Sequence, residues 1–210
     1  MKNLASEYMG LELKNPLVVA SCGLTKTLHG VQQAAEAGAG AIVLKSLFEE
    51  QISADIDELT HQSQHSGHTE AYDYLQGFGQ ALGPKDYLDL VSDAKATVSV
   101  PIIASINCVT ADRWTDYAAK LEEAGADALE LNMSFLPNDP SISSVDVEER
   151  YFNILSAVRD KVKIPIAIKI GPYISSFSHF AEKIGNDRLV QNACGHHHES
   201  RLQNSLVGQK

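Results

Sequence analysis

Two stretches of the chain, AEAGAGAIVLK (35–45) and LEEAGADALEL (121–131), are near-copies of each other. Each reads as the last turn of a helix that passes through glycine into a short, almost continuous apolar run. Glycine is favoured just past a helix end because it adopts left-handed backbone at little cost. An apolar run of that kind is a strand covered on both faces, which is the signature of a parallel sheet. The unit recurs. PLVVAS (16–21) precedes the helical pattern LTKTLHGVQQAAEAGA (24–39), in which Gly38 and Gly40 are stop signals, and AIVLKS (41–46) follows. PIIASIN (101–107), ADRWTDYAAKLEEAGA (111–126) and ALELNMS (128–134) repeat the cycle, and VDVEERYFNILSAVRDKV (145–162) leads into PIAIKIG (165–171). Strand starts at 16, 41, 101, 128 and 165 give about five βα units and an α/β fold.

A long excursion over roughly 48–83 separates the second unit from the third. It holds a polar stretch, HQSQHSGHTE, and then YLQGFGQALGP, and a connection this long reads as a lid or an inserted segment. GPKDYLDLVSDAKATV (83–98) then supplies a crossover helix, and SEYMGLELKN (6–15) alternates as a small hairpin that plugs one end of the sheet. After about residue 185 the repeat stops and the composition turns to Gln, Asn, His and Ser. The expectation is an α/β domain over 1–185 and an irregular tail over 186–210 that does not belong to it.

Composition narrows the function. The chain has 210 residues, 44% apolar and 21% charged, with 17 Lys+Arg against 27 Asp+Glu and a formal net charge of −10. That balance argues against a nucleic-acid backbone or an anionic membrane as the main partner, because both recruit clustered cations. No apolar run approaches the length needed to span a bilayer, and the N-terminus lacks the apolar core of a secretory signal. Cys22, Cys108 and Cys194 lie far apart with no CxxC, which fits a reducing compartment. The expectation is a cytoplasmic, homo-oligomeric protein acting on a small molecule.

Strand alternation locates the chemistry. Ser21, Lys45, Ser105 with Asn107, Glu130 with Asn132 and Ser134, and Lys169 fall at the C-terminal ends of successive strands, each on one face. In barrels and open α/β sheets that end is where ligands bind. A lysine inside an apolar strand, as in IVLKS and IAIKI, needs a partner, and a ligand with anionic or carbonyl oxygens supplies one.

These residues carry a family resemblance. GLELKNPLVVASCGLT (10–25) resembles the opening hairpin and first strand of the dihydroorotate dehydrogenases, whose pattern is a hairpin, NP, then AS-G. GAGAIVLKS (38–46) looks like their second strand. PIIASINCVTADRW (101–114) and EEAGADALELNMS (122–134) resemble the third and fourth, where the family reads ELNLSCPN. PIAIKIGPY (165–173) is similar to the fifth-strand P-x-x-x-K-x-x-P-Y segment. The third and fourth strands also resemble those of the related dihydropyrimidine dehydrogenase barrel. The resemblance covers about 4–184 and implies a (β/α)8 TIM-type barrel that binds FMN and oxidises or reduces a CH–CH bond in a dihydroorotate- or dihydropyrimidine-like ring, as in pyrimidine biosynthesis. It implies that Ser21, Lys45, Ser46, Ser105, Asn132 and Lys169 hold FMN, with Lys45 and Asn132 also reaching substrate.

The chain departs from the family at three places. The family's base cysteine is replaced: Ser134-Phe135-Leu136-Pro137-Asn138 puts Phe135 at that position, leaving Ser134 as a weak substitute base. Tyr74-Leu75-Gln76-Gly77-Phe78-Gly79 lacks the asparagines of the family's substrate loop. Five units rather than eight suggest a C-terminally truncated, inactive member. The alternatives are a non-catalytic barrel fragment working through oligomerisation or binding, and a Schiff-base lyase on Lys169 with Glu130 as the neighbouring acid. His61, His65 and His68 at i, i+4, i+7 have no carboxylate or cysteine in step, so no metal is expected, and the run His196–His198 reads as incidental.

Overall fold

The computed structural model describes residues 4–48, 84–107, 115–133, 139–171 and 174–185, and the backbone of 190–195. Seven strands form one parallel sheet: β3 (Val18–Val19), β4 (Ala41–Val43), β5 (Leu47–Phe48), β6 (Ile102–Asn107), β7 (Ala128–Met133), β8 (Ile166–Ile170) and β9 (Val190–Gly195). They are ordered β3-β4-β6-β7-β8-β9, with β5 also pairing β6. Helices α1 (Leu28–Glu36), α2 (Pro84–Thr97), α3 (Thr115–Glu123), α4 (Ser144–Arg159) and α5 (Phe177–Gly185) alternate with these strands. This is a partial TIM-type barrel, an α/β fold as the repeats predict. Every expected strand is present within two residues of its predicted start.

The tail expectation is corrected over six residues. Val190–Gly195 pairs parallel with β8, Ile168 opposite Ala193 and Lys169 opposite Cys194. A strand of this kind is held by main-chain hydrogen bonds and needs no long apolar run, which is why QNACG gave no signal. The excursion with His61, His65 and His68, Ser134, Phe135, Cys108 and the stretch beyond 195 with His196–His198 lie outside the described residues.

The sheet buries both faces. Its outer face (Ile102, Ala104, Ile106, Leu129, Leu131, Met133, Ile166, Ile168) packs against Val91, Leu121, Ile154 and Phe180 of the helices. Its inner face is smaller at the base. Ala41, Ala128 and Ala167 leave room there for Met9 and Leu13 of a hairpin formed by β1 (Ser6–Tyr8) and β2 (Leu11–Leu13). The two-residue turn has positive φ at Met9 and Gly10, 57° and 73°, the backbone that matches the twist of a tight hairpin. Met9 accepts that unfavourable backbone while its side chain is fully buried beneath the sheet.

Asn15 joins hairpin to sheet. Its Nδ2 donates to Gly38 O at 2.9 Å, and its Oδ1 accepts from Leu17 N–H at 2.9 Å. Gly38, at φ 101°, ends α1 as expected. Gly40 has a different role: a Cβ there would lie 2.1 Å from Asn15 O, so it is a close-approach glycine and not a stop signal. At the far side of the sheet, Asp127 accepts from Ile102 N–H at 2.7 Å and pairs with Lys95 at 2.7 Å, fastening α2 to the start of β6.

Two outcomes follow from these contacts. Gly40→Ala forces Asn15 and the hairpin exit apart, and urea unfolding should show a loss of about 1–3 kcal/mol. A variant as stable as wild type contradicts the close approach. Helix α4 opens on a reciprocal cap in which Asp146 Oδ2 accepts from the N–H and hydroxyl of Ser143, at 2.8 and 2.7 Å. The Ser143 hydroxyl and N–H hold the Asp146 carboxyl below its ordinary 3.8. A lowered folded value means the contribution is present in full above the unfolded value and is lost as pH falls through the folded one. The stability gap between wild type and Asp146→Asn should therefore close on acidification below about 3.8; a gap that persists there contradicts the cap.

Candidate functional site

Above the alanine floor the inner face turns polar in two layers. Register aligns Ser105 with Glu130 and Ala167, then Asn107 with Asn132 and Lys169. The alternation that buries Ile106, Leu131 and Ile168 against the helices presents these residues on the opposite, barrel-facing side.

The second barrel strand is split, and the split builds one side of the site. Leu44 N–H still reaches Ile103 O at 2.9 Å, but Lys45 N–H donates to Thr25 O at 3.1 Å and Ser46 N–H to Ser21 Oγ at 2.9 Å. The chain has left β6 for the end of β3, and it returns at Leu47. Opposite this notch stands Ser105. Tyr87, from α2, fills it: the phenol donates to Ser105 O at 3.1 Å and accepts from Ser105 N–H at 2.9 Å. Tyr87 is fully buried, and that burial pushes its hydroxyl well above the ordinary tyrosine value of 10.0. It stays protonated and can always donate.

The displaced segment brings Ser46 between two other hydroxyls. Ser21 Oγ and Ser46 Oγ are 3.0 Å apart, Ser46 Oγ and Ser105 Oγ 2.8 Å, and Ser105 Oγ donates to Glu130 Oε1 at 2.9 Å. Lys169 Nζ lies 3.9 Å from the same Glu130 oxygen. Ser46 and Ser105 are buried. Lys45 leaves from the same bulge, its Nζ 5.6 Å from the Phe48 ring centroid, a cation–π distance. Asn132 shares the upper layer with Lys169. Among the residues predicted for the site, Ser21, Ser46, Ser105 and Lys169 are thus linked through one carboxylate, while Lys45 and Asn132 stand beside them on the same end. Cys22 is a half-buried free thiol at the start of a short 3-10 turn, Gly23–Lys26. Among the described residues no group of three or more His, Cys, Asp or Glu could hold a metal, and no described helix is long and apolar enough to cross a membrane.

Sequence reading underrated Glu130, although it carries the same signal as the lysines: a charged residue inside the apolar strand ALELNMS, in step with Asn132. Tyr87 gave no signal. A tyrosine on the buried face of an amphipathic helix looks like core, and its task exists only because the neighbouring strand is split.

Fold and strand-end cluster together define a barrel-type α/β protein of the TIM class. Its sequence narrows this further: residues 3–193 match the family described as Dihydroorotate dehydrogenase, and the chain belongs to that family. The catalytic subunit of dihydroorotate dehydrogenase B (NAD(+)) from Thermoplasma volcanium is 25% identical over 190 residues, covering 87% of this chain and 58% of the relative. Its counterpart from Methanocella arvoryzae is 30% identical over 194 residues, covering 86% and 58%. The chain therefore spans about three-fifths of the length of these relatives. Among solved structures, dihydrodipicolinate synthase from Bacillus clausii superposes with a TM-score of 0.51 at 15% identity, over 82% of this chain and 46% of that one. The Bacillus anthracis enzyme of the same name gives 0.52 at 13%, over 85% and 55%. At such identity the likeness is one of fold.

Tyr87→Phe leaves the buried Ser105 N–H and C=O without their partner. It should cost about 1–3 kcal/mol in denaturant unfolding, the usual penalty for orphaned buried polar groups. A neutral substitution contradicts the role assigned to the phenol.

Proposed function

We propose that the strand-end cluster binds FMN and that the chain is a dihydroorotate-dehydrogenase-like oxidoreductase acting on a CH–CH bond of a dihydroorotate- or dihydropyrimidine-like ring. The observation that carries this reading is the convergence of Ser21, Ser46, Ser105 and Lys169 on one end of the barrel interior, in a chain that matches the family over 3–193. The donor set suits the cofactor. Two ammonium groups and an amide lie beside a row of hydroxyl oxygens above a floor of small residues, a setting for a flat heteroaromatic ring with carbonyl oxygens at its edge. Bound FMN would supply the hydride acceptor.

The chain's own residues would do the rest. Lys45 and Lys169 would meet carbonyl or anionic oxygens and stabilise negative charge that develops there. Asn132, with one amide donor pair and one acceptor, would bond a ring edge that carries both C=O and N–H. Lys45 and Asn132 would also reach substrate. Phe135 cannot take a proton, so the proton lost from carbon would pass to another group of the same loop, with Ser134 the nearest hydroxyl in sequence. Likeness to the synthases at 13–15% identity lends no support to Schiff-base chemistry on Lys169.

One observation favours a second reading, a non-catalytic barrel fragment that works as a homo-oligomer. Among the described residues β3 pairs only with β4 and β9 only with β8, so both ends of the sheet have an open edge. Light scattering and flavin binding separate the two readings. The first predicts that purified chain mixed with FMN and dialysed retains a flavin absorbance band, and that Lys45→Ala and Lys169→Ala each weaken FMN binding about tenfold or more, as loss of a charged hydrogen bond does. Colourless protein that forms a defined oligomer supports the second.

A further inference from the structure

We propose that Glu130 is the positioning residue of this site, fixing the Lys169 ammonium by charge and setting the direction of every hydroxyl proton in the serine chain. An ionised carboxylate only accepts, and a serine hydroxyl has one proton to give. Ser105 Oγ gives its proton to Glu130 Oε1 at 2.9 Å. The 2.8 Å contact with Ser46 must then be a bond donated by Ser46, and the 3.0 Å contact beyond it a bond donated by Ser21. Ser21 Oγ in turn accepts the Ser46 N–H at 2.9 Å, which agrees with that direction. Three protons therefore point along one line that ends on Glu130. Toward a ligand these serines present lone pairs, while the donors are Lys45, Lys169 and Asn132.

The same carboxylate distinguishes the two lysines. Lys169 Nζ is 3.9 Å from Glu130 Oε1, and both side chains are only 13% exposed, so solvent screens the pair weakly. Lys45 has the Phe48 ring as its neighbour and, among the described residues, no carboxylate within ion-pair distance. Lys169 is thus a held donor, while Lys45 has no such carboxylate among the described residues. The purpose of this arrangement, a lysine held for a flavin edge, rests on the proposed function. The positioning itself does not.

Trace labelling of the full chain with acetic anhydride, without flavin and read by peptide mass spectrometry at Lys169 and Lys45, tests it. Glu130→Gln keeps the shape and an oxygen for the Ser105 hydroxyl but removes the charge. It should raise Lys169 labelling about fivefold, the ratio expected for loss of one modest interaction, leave Lys45 unchanged and keep the unfolding midpoint near wild type. Glu130→Asp, which keeps the charge, should bring Lys169 back to within about twofold of wild type. Unchanged Lys169 labelling in Glu130→Gln, an equal rise at both lysines, or Glu130→Asp behaving like Glu130→Gln overturns the proposal. FMN fluorescence quenching on the wild-type chain is read alongside. Selective release of Lys169 without quenching upholds the positioning and removes the flavin reading; quenching with unchanged Lys169 labelling does the reverse.

Discussion

The site depends on two hydrogen bonds made by one phenol. A parallel strand that leaves its neighbour exposes main-chain N–H and C=O groups, and in a buried sheet that exposure is costly. Tyr87 takes both groups of Ser105, so the chain from Leu44 to Ser46 can swing toward the end of β3 without leaving β6 unsatisfied. A single donor–acceptor group does what a strand residue would otherwise do. The swing seats Ser46 between Ser21 and Ser105 and sends Lys45 out of the same bulge. A helix on the outer layer thereby determines which side chains meet on the inner one.

The resulting cluster is balanced in a way that its composition alone does not convey. Three hydroxyls, one carboxylate and two ammonium groups could pair in many ways. The bulge and the strand register select among them: the hydroxyls run in series to Glu130, and Glu130 faces Lys169. Each partner restricts the next, so the network has few alternative hydrogen-bond patterns, the condition for a rigid polar site.

Most of the fold was legible because its periodicities are strong. Glycine-punctuated helix ends placed β4 and β7, proline-opened apolar runs placed β6 and β8, and strand alternation separated the barrel-facing residues from the helix-facing ones. What escaped was set by tertiary contact. Gly40 looks like a second stop signal until Asn15 is found against it. The strand at Val190–Gly195 is held by its pairing with β8 and not by its own composition. Within the site, Ser21, Ser105 and Lys169 could be proposed from position on their strands and Ser46 from the family resemblance, and Glu130 had the same signal as the lysines. Tyr87 could not, since nothing in IVLKSLF indicates that the strand breaks at Lys45.

The hairpin beneath the sheet has a consequence for how the chain is made. Met9 and Leu13 share their small core with Ile103, Ala128 and Ala167. During vectorial synthesis at roughly 5–20 residues per second, the last of these partners leaves the ribosome about 8–30 s after the hairpin does. Met9 and Leu13 are therefore completely enclosed only once the chain through Ala167 has been made. In that interval the hairpin presents an apolar ribbon without its partners, a surface that a chaperone would protect.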